Sequence, residues 1–386
     1  MIANNKNSVK KILLTGGGTG GSVTPLLAVA EELRFPSDKG GLKRGFALSH
    51  ETPSSSPLSG GGYEFLWLGT KFGPERAMVE EAGIKFRAIA GGKWRRYFSL
   101  KNLADVFKIK IGFWQAFFIM LKWRPDLVVG AGSFISVPVV WAAWILRVPV
   151  LIHQQDVQPG LANKLMAPFA KVITVTFEKS LKDYGKKAVW TGNLVRQSLT
   201  RVTHSAQRVT NYKLENNLPV LLIVGGGTGA TAINELVAES LDELTKFCRI
   251  IHIAGKNKST ASSELRITNY TRYEFLDIER MAEALKSAEV VVTRAGMGFL
   301  TELSYLSKPA IIIPMPGSHQ AENAKMFNDA AIVLDQKSLT AGKFVKEIKS
   351  LIENKELQKR LGEKMGRVMK REANEQMVKL IHKLLE

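Results

Sequence analysis

Lys11-Ile12-Leu13-Leu14-Thr15 runs directly into Gly16-Gly17-Gly18-Thr19-Gly20, and 209 positions later Val220-Leu221-Leu222-Ile223-Val224 runs into Gly225-Gly226-Gly227-Thr228-Gly229. Each copy is an apolar strand ending in a glycine turn, followed by a segment with helical apolar spacing, Leu26 to Leu33 in the first and Ala232 to Leu244 in the second. Phe65–Leu68, Leu127–Val129, Val148–Ile152, Val172–Val175, Ile250–Ile253, Val290–Val292 and Ala310–Ile313 are further short apolar runs bounded by turn residues, without polar alternation. Strands that are apolar on both faces belong in parallel sheets covered by helices on each side. The sequence therefore predicts an α/β protein of two doubly wound, Rossmann-like domains, facing each other across a cleft at the carboxyl ends of their strands.

With 386 residues, 45% of them apolar, the chain is long enough for two packed domains. The expected boundaries are 1–196 for the first domain, 197–365 for the second and 366–386 for a C-terminal helix packing back on the first, with the seam between Arg196 and Leu218. A segment at about 35–62, dense in Pro, Ser and Gly, reads as a mobile insertion, and the stretch from Ser338 as amphipathic helices. A single cysteine, Cys248, excludes an internal disulfide and a cysteine-based zinc site, which fits a reducing cytosol. The apolar run before Thr15 reads as a strand and not a signal peptide. The longest apolar stretch, Ile111 to Leu121, is about half of the roughly 20 residues a spanning helix needs, so a soluble or peripheral protein is expected.

Lys and Arg total 54 against 35 Asp and Glu, and the net charge of +19 points to an anionic partner. Lys85 to Arg124 alone holds ten basic residues against one acid, Asp105, interleaved with ten aromatics. That mixture suits an anionic membrane surface, with Trp94, Arg95, Arg96 and Trp114 as the candidate contacts. The glycine loops add a second anion site of a different kind. A glycine turn leading into a helix presents several N–H groups and the positive end of the helix dipole to one point, which suits a phosphate or diphosphate. Neither copy is a Walker A loop, and neither has the Gly-x-Gly-x-x-Gly spacing of a dinucleotide fold.

In order along the chain stand Gly16-Gly17-Gly18-Thr19-Gly20-Gly21-Ser22-Val23-Thr24-Pro25, His153-Gln154-Gln155-Asp156 with Pro159-Gly160-Leu161-Ala162-Asn163, Gly192-Asn193-Leu194-Val195-Arg196, Arg294-Ala295-Gly296 with Glu302, and His319-Gln320 with Asn323. This ordered set resembles the MurG family of glycosyltransferases over about residues 10 to 375. The resemblance implies a GT-B fold. It also implies inverting, metal-independent transfer of N-acetylglucosamine from UDP-N-acetylglucosamine to the 4-hydroxyl of the muramoyl sugar of lipid I, giving lipid II for peptidoglycan. It further implies a peripheral place on the cytoplasmic face of the plasma membrane, no cofactor, no nucleic-acid partner, and other cell-wall enzymes as neighbours. No Asp-x-Asp occurs; the nearest pattern is Asp277-Ile278-Glu279.

By the same resemblance, Glu302 accepts hydrogen bonds from the ribose hydroxyls. The backbone at Met297, Gly298 and Phe299, with Gly227 of the second loop, faces the phosphates. Gln320 contacts the sugar, Phe275 and Leu276 border the uracil, and Arg196 offsets the charge growing on departing UDP. Thr19, Gly20 and Gly21 stand on the acceptor side, as does Asp156, where the family has asparagine. Other departures are Gln154 for Glu, Leu194 for Pro and Gly227-Thr228 for Ser-Gln. The family's glycine loop is commonly followed by a histidine, and this chain has Ser22 there, which at its ordinary pKa cannot take a proton. The base for the attacking hydroxyl stays open between Asp156 and His153. A sugar-nucleotide epimerase of the same architecture, a basic RNA-binding protein and a non-catalytic relative are the alternative readings.

Overall fold

The computed structural model describes residues 9–18, 20–35, 62–73, 75–92, 100–196, 199, 218–226, 229–255 and 268–386. Thr19, Trp94, Arg95, Arg96, Gly227, nearly all of the 35–62 segment and most of the expected seam lie outside the described residues.

The first sheet contains β1 (Lys10–Thr15), β2 (Tyr63–Thr70), β3 (Lys85–Ile89), β4 (Leu127–Gly130), β5 (Val150–Gln154), β6 (Val172–Val175) and β7 (Ala188–Trp190), in the order β3-β2-β1-β4-β5-β6-β7. The second contains β8 (Val220–Val224), β9 (Arg249–Ile253), β10 (Tyr270–Tyr273), β11 (Val290–Thr293), β12 (Ala310–Ile312) and β13 (Ile332–Val333), in the order β10-β9-β8-β11-β12-β13. Every pairing is parallel. In each sheet the strand before the glycine loop, β1 or β8, is where the winding reverses. Two neighbouring crossovers leave in opposite directions there and open a crevice.

The apolar character of these strands follows from burial on both faces. Ile12 and Leu14 join one core cluster and Leu13 another, all fully buried. Helices α1 (Thr24–Arg34), α2 (Glu75–Glu81), α3 (Leu100–Trp123), α4 (Ser136–Ile145) and α5 (Leu161–Met166) accompany the first sheet. Helices α6 (Thr231–Leu244), α7 (Ile278–Ser287), α8 (Met297–Tyr305), α9 (Gln320–Lys325), α10 (Ala341–Glu353) and α11 (Lys355–Val368) accompany the second. Met365 of α11 is buried in the second domain's core. The chain then crosses back, with Lys370 Nζ 4.8 Å over the Trp190 ring.

Helix α12 (Ala373–Leu385) ends the chain on the first domain. Its Met377 and Ile381 are fully buried with Ile12, Leu14, Leu27 and Val129. Each such side chain contributes about 1.5–3 kcal/mol of burial. Lys10 Nζ donates to Leu385 O at 3.0 Å, and Tyr63 stacks on His382 with ring centroids 6.2 Å apart.

Candidate active site

The first glycine loop is fixed from below by a residue that no motif singles out. Glu75, at the start of α2, is fully buried; its carboxylate accepts from Gly18 N (3.1 Å), Thr70 N (2.8 Å) and the Thr70 hydroxyl. A buried carboxylate is tolerated when several donors converge on it. A β-carbon at Gly17 would lie 2.3 Å from Glu75 Oε1, so packing demands glycine there. Trp67 Nε1 donates to Gly16 O (3.0 Å) and Ser22 Oγ to Gly17 O (3.2 Å), which gives Ser22 a structural task in shaping the loop. In the second loop Gly229 has φ +73°, and a β-carbon on it would lie 2.2 Å from Ala254 O.

The two domains meet between these loops. The N-cap of α8, Gly296, makes no side-chain capping bond, and the first N–H groups of a helix have no partners within it. Those at Met297, Gly298 and Phe299 are therefore available at the positive end of the dipole. The short 3-10 turn Gly20–Ser22 contacts α8, and a β-carbon on Gly298 would lie 3.6 Å from Thr24 Oγ1. Gly20 and Gly21 are thus brought opposite Gly298.

Arg196 and Glu302 come together although the motifs carrying them are far apart. The guanidinium NH2 donates to Glu302 Oε1 at 2.6 Å, with the side chains only 11% and 8% exposed. Arg196 Nε is buried with no hydrogen-bond partner, so part of its donor capacity is unused. Beside this pair, Asn193 Nδ2 donates to Thr301 Oγ1 at 2.7 Å. Met297 and Leu276 have their side chains in the core, 4% and 3% exposed, and only their backbone is available to a ligand. Phe275 is the exposed neighbour. Gln320 Oε1 accepts from Met315 N at 3.0 Å, holding the loop before α9.

The two candidate bases separate. The apolar run ending at Ile152 continues as strand through Gln154, so His153 lies inside the sheet, paired in register with Thr174. It is fully buried. Its Nε2–H donates to Asn193 Oδ1 (2.8 Å) and its Nδ1 accepts from the Thr174 hydroxyl (2.9 Å). With both nitrogens engaged and no open face, His153 has the surroundings of a residue that holds the sheet together, and of the two candidate bases Asp156 is the one left open to the cleft. Asp156 sits where the chain has left the sheet. Asn323 Nδ2, from the second domain, donates to its Oδ1 at 2.9 Å, and Val157 N donates to Asn323 Oδ1 at 3.1 Å. His319 Nε2 stands 3.9 Å from Asp156 Oδ2, and these two side chains are 53% and 36% exposed. His319 and Asn323 belong to a motif visible in the sequence, but their meeting with Asp156 is a product of the fold.

Burial pushes the His153 pKa down to about 4, against a weaker opposing effect of its bond to Asn193, and burial with the nearby Arg272 charge lowers His252 to about 4 as well. A depressed histidine stays neutral in the fold, while the unfolded chain takes up its proton below about 6.5. Folding stability is accordingly unaffected above pH 6.5 and falls as the pH drops from 6.5 towards 4, by up to about 3 kcal/mol per histidine. Thermal melting should show this loss, and His153→Gln should flatten the slope between pH 6.5 and 5. An unchanged slope in that variant would contradict the assignment.

Helix α3 carries an exposed apolar stripe: Phe107, Ile111, Trp114, Phe118 and Leu121 are each 52–61% exposed at spacings of three and four. Trp114 packs edge-on to Phe113 and Phe117 and stacks on Phe118, so the aromatic surface is continuous. Trp144 and Ile145 of α4, a helix in contact with α3, are also exposed. Among the described residues no helix is long and apolar enough to cross a membrane, and no three His, Cys, Asp or Glu side chains gather as a metal site.

Two family descriptions match the chain: Glycosyltransferase family 28 N-terminal domain over residues 56–175 and Glycosyltransferase family 28 C-terminal domain over residues 220–381. The UDP-N-acetylglucosamine--N-acetylmuramyl-(pentapeptide) pyrophosphoryl-undecaprenol N-acetylglucosamine transferase of Clostridium kluyveri is 37% identical over 353 residues, covering 89% of this chain and 91% of that one. The protein of the same name from Clostridium botulinum is 36% identical over 357 residues, covering 90% and 92%. Among solved structures, Acinetobacter baumannii MurG matches with a TM-score of 0.67 at 24% identity, covering 97% of this chain and 99% of that one. A UDP-GlcNAc 2-epimerase from Neisseria meningitidis bound to UDP-GlcNAc matches with a TM-score of 0.67 at 14% identity, covering 97% and 100%, a likeness of fold alone.

Proposed function

The chain belongs to glycosyltransferase family 28, with the GT-B fold of two facing α/β domains, and on that premise we propose how its cleft works. The reaction is transfer of N-acetylglucosamine from UDP-N-acetylglucosamine to the 4-hydroxyl of the N-acetylmuramyl unit of lipid I, the undecaprenyl-pyrophosphoryl-linked muramyl pentapeptide, giving lipid II with inversion at the transferred carbon. The observation that carries this reading is the Arg196–Glu302 contact at 2.6 Å beside the uncapped start of α8, with Asp156 on the facing domain of the same cleft.

On donor binding, Glu302 accepts from the two ribose hydroxyls, as an ionised carboxylate can. The N–H groups at Met297, Gly298 and Phe299 and the spare donors of Arg196 hold the diphosphate. Asp156 takes the proton from the 4-hydroxyl as that oxygen bonds to C1, and the C1–O bond to UDP breaks with its electron pair leaving on the diphosphate. The dipole of α8 and the Arg196 charge act where that negative charge grows, which lowers the barrier more than it favours the bound substrate. Gly20 and Gly21, opposite Gly298, stand on the acceptor side, Thr19 and Gly227 are assigned to the substrates on the resemblance of their loops alone, and Gln320 contacts the donor sugar. UDP release in the presence and absence of a lipid I analogue tests the reading. Release that requires the acceptor supports it; UDP-GlcNAc turned over without acceptor would favour an epimerase.

For the lipid-linked acceptor, we infer that the α3 stripe, the basic residues around it and Trp94, Arg95 and Arg96 form the surface that meets an anionic bilayer at the cytoplasmic face of the plasma membrane. An exposed stripe of Phe, Trp and Leu flanked by Lys108, Lys110 and Lys122 has the chemistry of an interfacial helix. Binding to vesicles containing anionic lipid should fall between low and high salt, and Trp114→Ser with Phe118→Ser should weaken it at either salt. Flotation that is absent in the parent protein would refute the assignment.

A further inference from the structure

We propose that a basic recess beside Asp156 binds the free carboxylate of the acceptor's peptide stem. The inference rests on the reaction given above and adds to it a binding site for the part of the acceptor that does not react. The recess has a volume of about 940 Å³ and lies on the first domain, with Val157 on its wall and Glu322 as the one lining residue from the second domain. Val157 follows Asp156 directly, and Glu322 precedes Asn323, the residue bonded to Asp156. One end of the recess therefore adjoins the point where the 4-hydroxyl is deprotonated. In a muramyl sugar the peptide hangs from the lactyl group on the neighbouring 3-oxygen, so the stem must leave the reaction centre close to Asp156.

Four lysines line the recess: Lys164 on α5, Lys179 and Lys182 on the 3-10 helix Glu178–Asp183, and Lys187. Lys187 is spent on the wall, donating to Ala167 O (3.2 Å) and Pro168 O (2.7 Å). Glu322 is paired with Lys325 at 2.6 Å. Lys164, Lys179 and Lys182 have no hydrogen-bonded or ionic partner among the described residues, and Asp183 is the one lining acid left to oppose them. The floor is preorganised: Gln154 Nε2 donates to Asp156 O (2.7 Å) and Gln158 O (2.9 Å), and Tyr184 OH donates to Gln154 Oε1 (2.9 Å). The same turn thus shapes both Asp156 and the recess rim.

A peptide joined through its amino end to the lactyl carboxyl presents a C-terminal carboxylate at its far end. Five residues extend at most about 17 Å, a length that reaches across a recess of this size. A phosphate could satisfy the same ammonium groups, but the acceptor's own diphosphate is carried on C1, across the ring from the 4-hydroxyl, whereas the stem leaves from the neighbouring 3-oxygen, so the stem is the occupant the geometry favours.

The test compares the parent enzyme with the double variant Lys179→Ala/Lys182→Ala on two soluble lipid I analogues, one with a free C-terminal carboxylate and one with a C-terminal amide. In the variant, KM for the acid should rise about three- to tenfold and KM for the amide by less than about twofold, as expected for two exposed ion pairs. The kcat values and KM for UDP-GlcNAc should stay unchanged. Equal KM values for acid and amide in the parent, or equal shifts in the variant, overturn this inference and leave the reaction intact. A loss of anionic-vesicle binding that accompanies equal shifts would assign the lysines to headgroups instead. A parent enzyme that transfers to neither analogue overturns the reading of the reaction itself, and this inference with it.

Discussion

Replacing Asp156 by asparagine is expected to lower kcat about 10²- to 10⁴-fold, the usual contribution of a positioned general base, which corresponds to about 2.7–5.4 kcal/mol of barrier. Asparagine keeps the size and a hydrogen bond with Asn323, so the donor site should be undisturbed and KM for UDP-GlcNAc should move by less than about twofold. The loss should then be in the chemical step. His319 is the control, since its Nε2 lies 3.9 Å from Asp156 Oδ2 and an imidazole can accept a proton. If Asp156→Asn turns over at the parent rate while His319→Ala does not, the base has been assigned to the wrong partner. If both variants keep the parent rate, neither residue is the base.

Substitution of Glu302 has the second large effect, and it divides into two measurable parts. Glu302→Ala strands a guanidinium that is 11% exposed, and breaking a buried pair in this way costs about 3–5 kcal/mol of stability. Glu302→Gln keeps an acceptor at the same place and should lose less. Both variants should lose donor recognition, because hydrogen bonds to a charged group contribute about 1.5–3 kcal/mol each, or roughly 10²- to 10⁴-fold in kcat/KM for two of them. A donor lacking the ribose 2′-hydroxyl separates the two effects. The parent should discriminate strongly against it, while Glu302→Ala should treat it and UDP-GlcNAc nearly alike, as a double-mutant cycle requires of interacting partners. Undiminished discrimination in the variant would remove Glu302 from the ribose.

The twin strand and glycine units were readable from the chain because strands buried on both faces leave an uninterrupted apolar run. The strands that escaped, Lys85–Ile89, Ala188–Trp190, Tyr270–Tyr273 and Ile332–Val333, lie at sheet edges or next to them. Such strands are short and half exposed, and carry charges or polar rings that break the pattern. The surroundings of His153 were hidden for a related reason. An apolar run was taken to end where polar residues begin, whereas the sheet tolerates His153 and Gln154 by supplying Thr174, Asn193 and Asn163 as partners. Glu75 carried no local signal, since its role depends on Gly18 and Thr70 converging from other parts of the chain. The Arg196–Glu302 contact likewise joins motifs 106 residues apart, which order along the chain can list but cannot pair.

Helix α12 gives the molecule an order of manufacture. Met377 and Ile381 are part of the hydrophobic filling behind β1 and α1, yet a ribosome adds them only after the whole of the second sheet and its helices. The first domain must therefore wait, with a greasy groove uncovered, while the second is made and folds. Its own completion comes only when α12 has been made and closes over it. A chain stopped after α11 would contain both sheets and both glycine loops, but the half expected to receive the acceptor would remain unfinished.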